Sequence, residues 1–198
     1  AVFKENRKVL KEMVRDSNKL FEDARIRKYN IMPTLRRLQQ CDIDTGHFYV
    51  QVTDYLSEVT KALIHITRPS LEHIDNNHEG MSKEQIVDLM RVNDQVETIF
   101  DKINDMLASK DFSDLDLVLE MRDKLFDTIV GAIKSQLRRI NGNPSGSTRA
   151  SVLYLTILNE TKTMMLQSRN LLKSQHYFLE AQNNADTPSC RQSTQTLL

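Results

Sequence analysis

The sequence contains no tryptophan, and only 2 cysteines, 4 prolines and 5 glycines in 198 residues. So few breakers leave room for few turns, which favours long helices over many short strands. Cys41 and Cys190 stand in unrelated contexts. They form neither a disulfide framework nor a zinc pattern, and a reducing compartment is expected. No apolar run approaches the roughly 20 residues needed to cross a bilayer. Glycine-rich phosphate cradles are missing too: Gly142 and Gly146 lack a Walker lysine and follow a helical pattern rather than a strand. Nothing resembles a nucleophile elbow or a Cys/His pairing, so no catalytic signature is present and no enzymatic activity is expected.

What is present is an ordinary soluble balance, with 27% charged and 39% hydrophobic residues. The chain is long enough for one domain, or two small lobes, with a real core. Net charge is zero but unevenly spread. Residues 1–41 carry 11 Lys/Arg against 5 Asp/Glu, residues 42–130 carry 8 against 19, and residues 131–198 carry 8 against 3. Solvated helix faces often produce such blocks, and a basic start can also face acidic lipid or nucleic acid. The chain opens Ala1-Val2-Phe3, without Met and without the apolar core and cleavage pattern of a signal peptide. It is therefore expected to be a domain cut from something longer.

The pattern is organised around the run from Thr45 to Ile74. Phe48, Val52, Tyr55, Leu56, Val59, Ala62, Leu63 and Ile66 recur at steps of three and four, which makes one apolar helical stripe. Gln51, Asp54, Glu58, Lys61, His65, Arg68 and Glu72 occupy the opposite, wet side. Pro69 is expected to kink this helix without ending it, and the polar run Asn76 to Gly80 to stop it. Before it, a first helix carries Phe3, Leu10, Met13, Val14, Leu20, Phe21 and Ala24, with a break expected near residue 30. After it, Ser82 and Gln85 form a capping box for a third helix. A fourth follows Ser113-Asp114, and a fifth follows the exposed loop 141–147. The spacing thus predicts helices over about residues 2–41, 45–78, 83–110, 114–141 and 148–182, forming one domain over 1–183. Residues 184–198 read as a disordered or purification-derived tail. Five long helices on short turns pack up and down, so the fold class is an all-α antiparallel bundle.

Carboxylate pairs at four-residue spacing lie on one helix face and can grip a cation when facing helices supply more ligands. Glu12/Asp16, Asp54/Glu58, Glu97/Asp101 and Asp123/Asp127 have this spacing. Glu97/Asp101 flanks an apolar stripe with Asn93 and Asn104, whereas Asp54/Glu58 beside Lys61 reads as a solvated ion-pair face. His73 and His78 lie about 140° apart on a helix and can meet only where it unwinds. Arg138 and Arg139 make a small basic spot that suits an anion or a lipid head group, or simply the carbonyl end of their helix.

Three stretches carry a family resemblance. They are Thr45 to Leu56 (TGHFYVQVTDYL), Ile66-Thr67-Arg68-Pro69 with Glu72 to His78 (EHIDNNH), and Leu153 to Lys162 (LYLTILNETK) with Asn170 to Lys173. Together they resemble the cytoplasmic C-terminal domain of bacterial sodium–phosphate cotransporters, which is similar to PhoU. The resemblance implies two three-helix bundles and metal binding through E/D-x-x-x-D motifs, with Fe, Zn, Mg or Ca as the divalent ion where one is held. Carried onto this sequence, it marks Glu97 and Asp101 as an intact motif, Glu160 as its counterpart in the last helix, and Glu58 with upstream Asp54 in the organising helix. Two positions depart from the family: Met164 stands four residues after Glu160 and Ala62 four residues after Glu58, each where the resemblance implies a carboxylate.

The function implied is a cytosolic regulatory domain of a sodium-dependent phosphate symporter, on the cytoplasmic face of the bacterial inner membrane. It would modulate uptake through contact with the membrane domain, a second copy, or phosphate-signalling proteins, and not with nucleic acid. Cytoplasmic flanks of spanning segments favour Lys and Arg, so the basic first helix would lie nearest the membrane. The alternative is a free-standing PhoU-like regulator. A carboxylate-bundle metalloenzyme would need a Glu-x-x-His, which this sequence lacks.

Overall fold

The computed structural model describes residues 6–36, 43–142 and 147–185. Six helices follow in order: α1 Arg7–Tyr29, α2 Ile31–Leu35, α3 Ile43–Asp75, α4 Lys83–Ser109, α5 Leu115–Gly142 and α6 Thr148–Ala185. No strand occurs among the described residues. The architecture is all-α, five long helices and one of five residues. The stretch expected as a tail lies outside the described residues from 186 onward, as do Cys41, Cys190 and the loop residues 143–146.

Helix ends follow local chemistry. Asn6 caps α1 by accepting from the Val9 N–H at 3.2 Å. Asn30, between α1 and α2, bonds back to Ile26, and Pro33 falls in the first turn of α2, where a missing N–H costs little. Helix α3 runs unbroken through Pro69. It ends at Asp75, immediately before the expected stop run Asn76 to Gly80 and about three residues short of the expected bound. Asn77 adopts φ 50°, the His78 N–H bonds to the His73 carbonyl, and the Asn77 N–H bonds to the Ile74 carbonyl. This is a Schellman closure with Asn as the left-handed residue. Helix α4 opens with the reciprocal capping box: the Gln85 N–H donates to Ser82 Oγ and the Ser82 N–H to Gln85 Oε1. Ser82→Ala should therefore cost about 1 kcal/mol of stability, read as a lowered urea midpoint.

Cross-helix pairs fix the packing. Gln51 meets Ser174 at 3.0 Å and His65 meets Glu160 at 3.4 Å, so α3 and α6 run antiparallel along most of their length. Ser17 meets Thr67 at 2.9 Å and Lys28 meets Asp54 at 2.8 Å, which lays α1 antiparallel on α3. Tyr154 meets Asp88 near one end, and His176 stacks on Phe112 near the other, so α4 runs parallel to α6. Helices α4, α5 and α6 touch one another pairwise and close a three-helix unit, while α1 has α3 as its principal neighbour.

One contiguous core runs through α3, α4, α5 and α6, with Leu125, Ile129, Tyr154, Leu158 and Leu172 fully buried. The α1 residues Leu10, Ser17 and Ala24 bury against α3. Met13 and Leu20, expected in the stripe of the first helix, are instead exposed. A helix with one principal neighbour buries only one narrow face.

Candidate functional site

The sequence-predicted carboxylates do not assemble. Asp54 pairs with Lys28 at 2.8 Å, Glu58 with Lys61 at 3.7 Å, and Glu160 with His65 at 3.4 Å. Glu97 and Asp101 lie on the exposed face of α4, as do Asn93 and Asn104. Met164, at the position expected for a carboxylate partner of Glu160, is buried in the core. Among the described residues, no three His, Cys, Asp or Glu side chains converge to hold a metal ion. These residues do not fit the metal clusters the resemblance implies, because each carboxylate near a helix interface already faces a Lys or His. The helix does unwind beyond His73, and the His73 and His78 rings meet edge to face at 5.3 Å. The His73 Nε2, however, is engaged by the Glu79 carbonyl at 2.9 Å.

A different constellation forms where α4 begins, α5 ends and α6 begins. The Tyr154 hydroxyl donates to Asp88 at 2.9 Å, and Arg139 reaches the same carboxylate oxygen at 3.1 Å. Arg139 also donates from Nε to Gln136 Oε1 at 2.9 Å and stacks over the Tyr154 ring at 5.7 Å. Gln85 donates to the same Gln136 oxygen at 3.2 Å, and Gln136 Nε2 donates to Ser151 Oγ at 3.0 Å. Gln85, Gln136 and Tyr154 are buried, so these bonds satisfy groups that water cannot reach. The network ties three helices together through pairs separated by 51 to 66 residues.

Beside it lies an open cleft of about 610 Å³. Arg139, Gln136, Ser151 and Glu84 supply polar groups, and Met81, Ile140, Val152 and Leu155 supply apolar ones. The N-termini of α4 and α6 both border it, but serine caps already take up part of their N–H donors: Ser82 bonds the Gln85 N–H and Ser147 the Ala150 N–H. The cleft thus combines an ion-paired arginine, capped helix starts and apolar walls. It holds no nucleophile paired with a base.

Tyr154 gives the site a pH signature. Burial, then the hydrogen bond to Asp88 and the charge of that carboxylate, push its phenol well above the usual tyrosine value, against a smaller opposing effect of Arg139. The folded chain thus holds this proton where the unfolded chain releases it, from about pH 10 upward. Stability from this source is intact below that pH and lost as pH rises through the folded value. In urea titrations at alkaline pH, Tyr154→Phe should remove that part of the loss.

Sequence reading missed the network. It took Gln85 only as a cap and Arg139 as half of a surface spot, and gave Tyr154 no partner. The usable signal was a buried tyrosine in an apolar stripe, whose hydroxyl needs a partner.

No family model matches this sequence, and no curated protein matches it either. Among solved structures, the crystal structure of PhoU from Pseudomonas aeruginosa superposes with a TM-score of 0.76 at 12% identity, covering 90% of this chain and 85% of that one. The fold is PhoU-like. At that identity the likeness speaks for the PhoU-like helical bundle and not for a shared set of site residues.

Proposed function

We propose that this chain is a non-catalytic regulator of phosphate handling that works through protein contact. In the specific form we favour, it is the cytosolic domain of a sodium-dependent phosphate symporter. The observation that supports the general reading is the PhoU-like fold. The symporter form rests on the resemblance of residues 45–78 and 153–173. Sodium and phosphate would bind in a membrane part outside these 198 residues; no described helix is long and apolar enough to cross a membrane. The cleft beside Arg139 is the concave surface where a partner segment would dock, and the Asp88–Arg139–Tyr154 network would keep its walls rigid.

A free-standing PhoU-like regulator is the second reading. Coverage of 85% of the Pseudomonas aeruginosa PhoU chain favours it, since that chain is matched nearly throughout. Sodium-dependent phosphate uptake tests the proposal, measured in cells whose native gene lacks the segment for residues 1–198. Uptake that persists but no longer responds to phosphate supply is the expected result. Uptake and response both unchanged would refute it.

A further inference from the structure

The outer face of α1 carries a line of side chains that the packing of the bundle does not use. Lys8, Lys11, Arg15, Lys19, Glu22, Ile26 and Tyr29 follow at steps of three and four, so they form one line down a helix about 35 Å long. This line lies opposite the buried residues Leu10, Ser17 and Ala24, and every member of it is exposed. Lys8, Lys11 and Lys19 make no ion pair with any described side chain, unlike Arg7 and Lys28, which are tied to Asp75 and Asp54 on α3. Within the line Glu22 pairs with Arg25 at 2.7 Å and Arg15 with Asp16 at 3.2 Å, and Glu12 and Asp23 are the other exposed acids of α1, so the free positive charge rests on the three lysines. At the far end the cations give way to large exposed apolar groups: Ile26 at 48%, Tyr29 at 74% and, just beyond in α2, Met32 at 55%.

We infer that this face docks on an anionic lipid bilayer. Unpaired lysines in a row match the charge of anionic head groups, each contributing near the surface, and an isoleucine, a tyrosine and a methionine at one end suit the interface below them. A nucleic acid would match the lysines but give the exposed aliphatic groups nothing to bury against. The rest of the molecule supports the same orientation. The acid-rich α4 and α5 pack on α6, and α1 packs mainly on α3, so Glu97, Asp101, Asp116 and Asp123 are carried by helices other than α1's principal neighbour. The inference does not depend on the symporter reading; a free-standing regulator with this α1 would bind lipid as well.

The test is co-sedimentation of the whole chain with phosphatidylcholine vesicles, with and without phosphatidylglycerol, over a range of salt. Binding to the anionic vesicles alone, weakening as salt rises, is expected. Lys8→Gln/Lys11→Gln/Lys19→Gln should weaken it about a hundred-fold, at about fivefold per cation, while the matching triple Arg variant retains it. These side chains face away from α3, so an unchanged thermal midpoint is expected for both variants. Should the Gln variant fail to fold, the salt series and the Arg variant decide. Equal binding to both vesicles, none to either, salt-insensitive binding, or a preference for duplex DNA that displaces the vesicles would each overturn the inference.

Discussion

Leu158→Ala is expected to lower the folding free energy by about 3 kcal/mol, as a fall in the urea midpoint with the slope unchanged. Leu158 is fully buried about a quarter of the way along α6, the helix that α3, α4 and α5 all contact. Its removal strips contacts from the core cluster shared by α3, α4, α5 and α6, and two long helices held against others cannot collapse locally to refill the space. An exposed apolar substitution of the same kind, Leu20→Ala on α1, should by contrast change little, since Leu20 is 50% exposed. A small effect at Leu158 would mean that α6 is not the shared spine of the bundle.

Asp88→Ala is expected to cost about 2–3 kcal/mol, because it leaves a buried tyrosine hydroxyl without its acceptor and an arginine without its counter-charge. Chemical denaturation of Asp88→Ala, Tyr154→Phe and the double variant measures the coupling. Since both changes break the same bond, the double variant should be less destabilised than the sum of the singles by about 1 kcal/mol. Additive effects would show that the two groups do not act together, and that the cleft wall owes nothing to this network.

How far the fold could be read from sequence depended on how local each signal was. The stripes through Val59 and Ala62, Ile99 and Ile103, and Leu125 and Ile129 are three- and four-residue repeats within one helix, and all of these residues are buried. The capping box at Ser82 and Gln85 is equally local, and it forms. What a stripe does not state is how many neighbours will cover it. Met13 and Leu20 have the period of core residues and are exposed, because α1 meets mainly α3. The stop after α3 was placed by polar composition, yet the left-handed turn falls on Asn77, a residue that tolerates positive φ almost as glycine does.

The candidate site was less legible for the same reason. Glu97 and Asp101 are four apart on one helix, and that spacing carries no information about what lies across from them; what lies there is solvent. Asp88, Gln136 and Tyr154 belong to three helices and are joined only by tertiary packing. The Met164 and Ala62 departures were the sequence's own sign that the metal motif is incomplete, and both residues are packed in the core.

Fractionation of the native, uncut gene product bearing a C-terminal tag decides between the proposed domain of a membrane transporter and a free-standing regulator. After an alkaline carbonate wash, which strips proteins held to lipid only by surface charge, the account predicts that the product stays with the membranes. A product released wholly into the soluble fraction near 23.0 kDa would contradict the symporter reading and leave the free-standing PhoU-like regulator in its place.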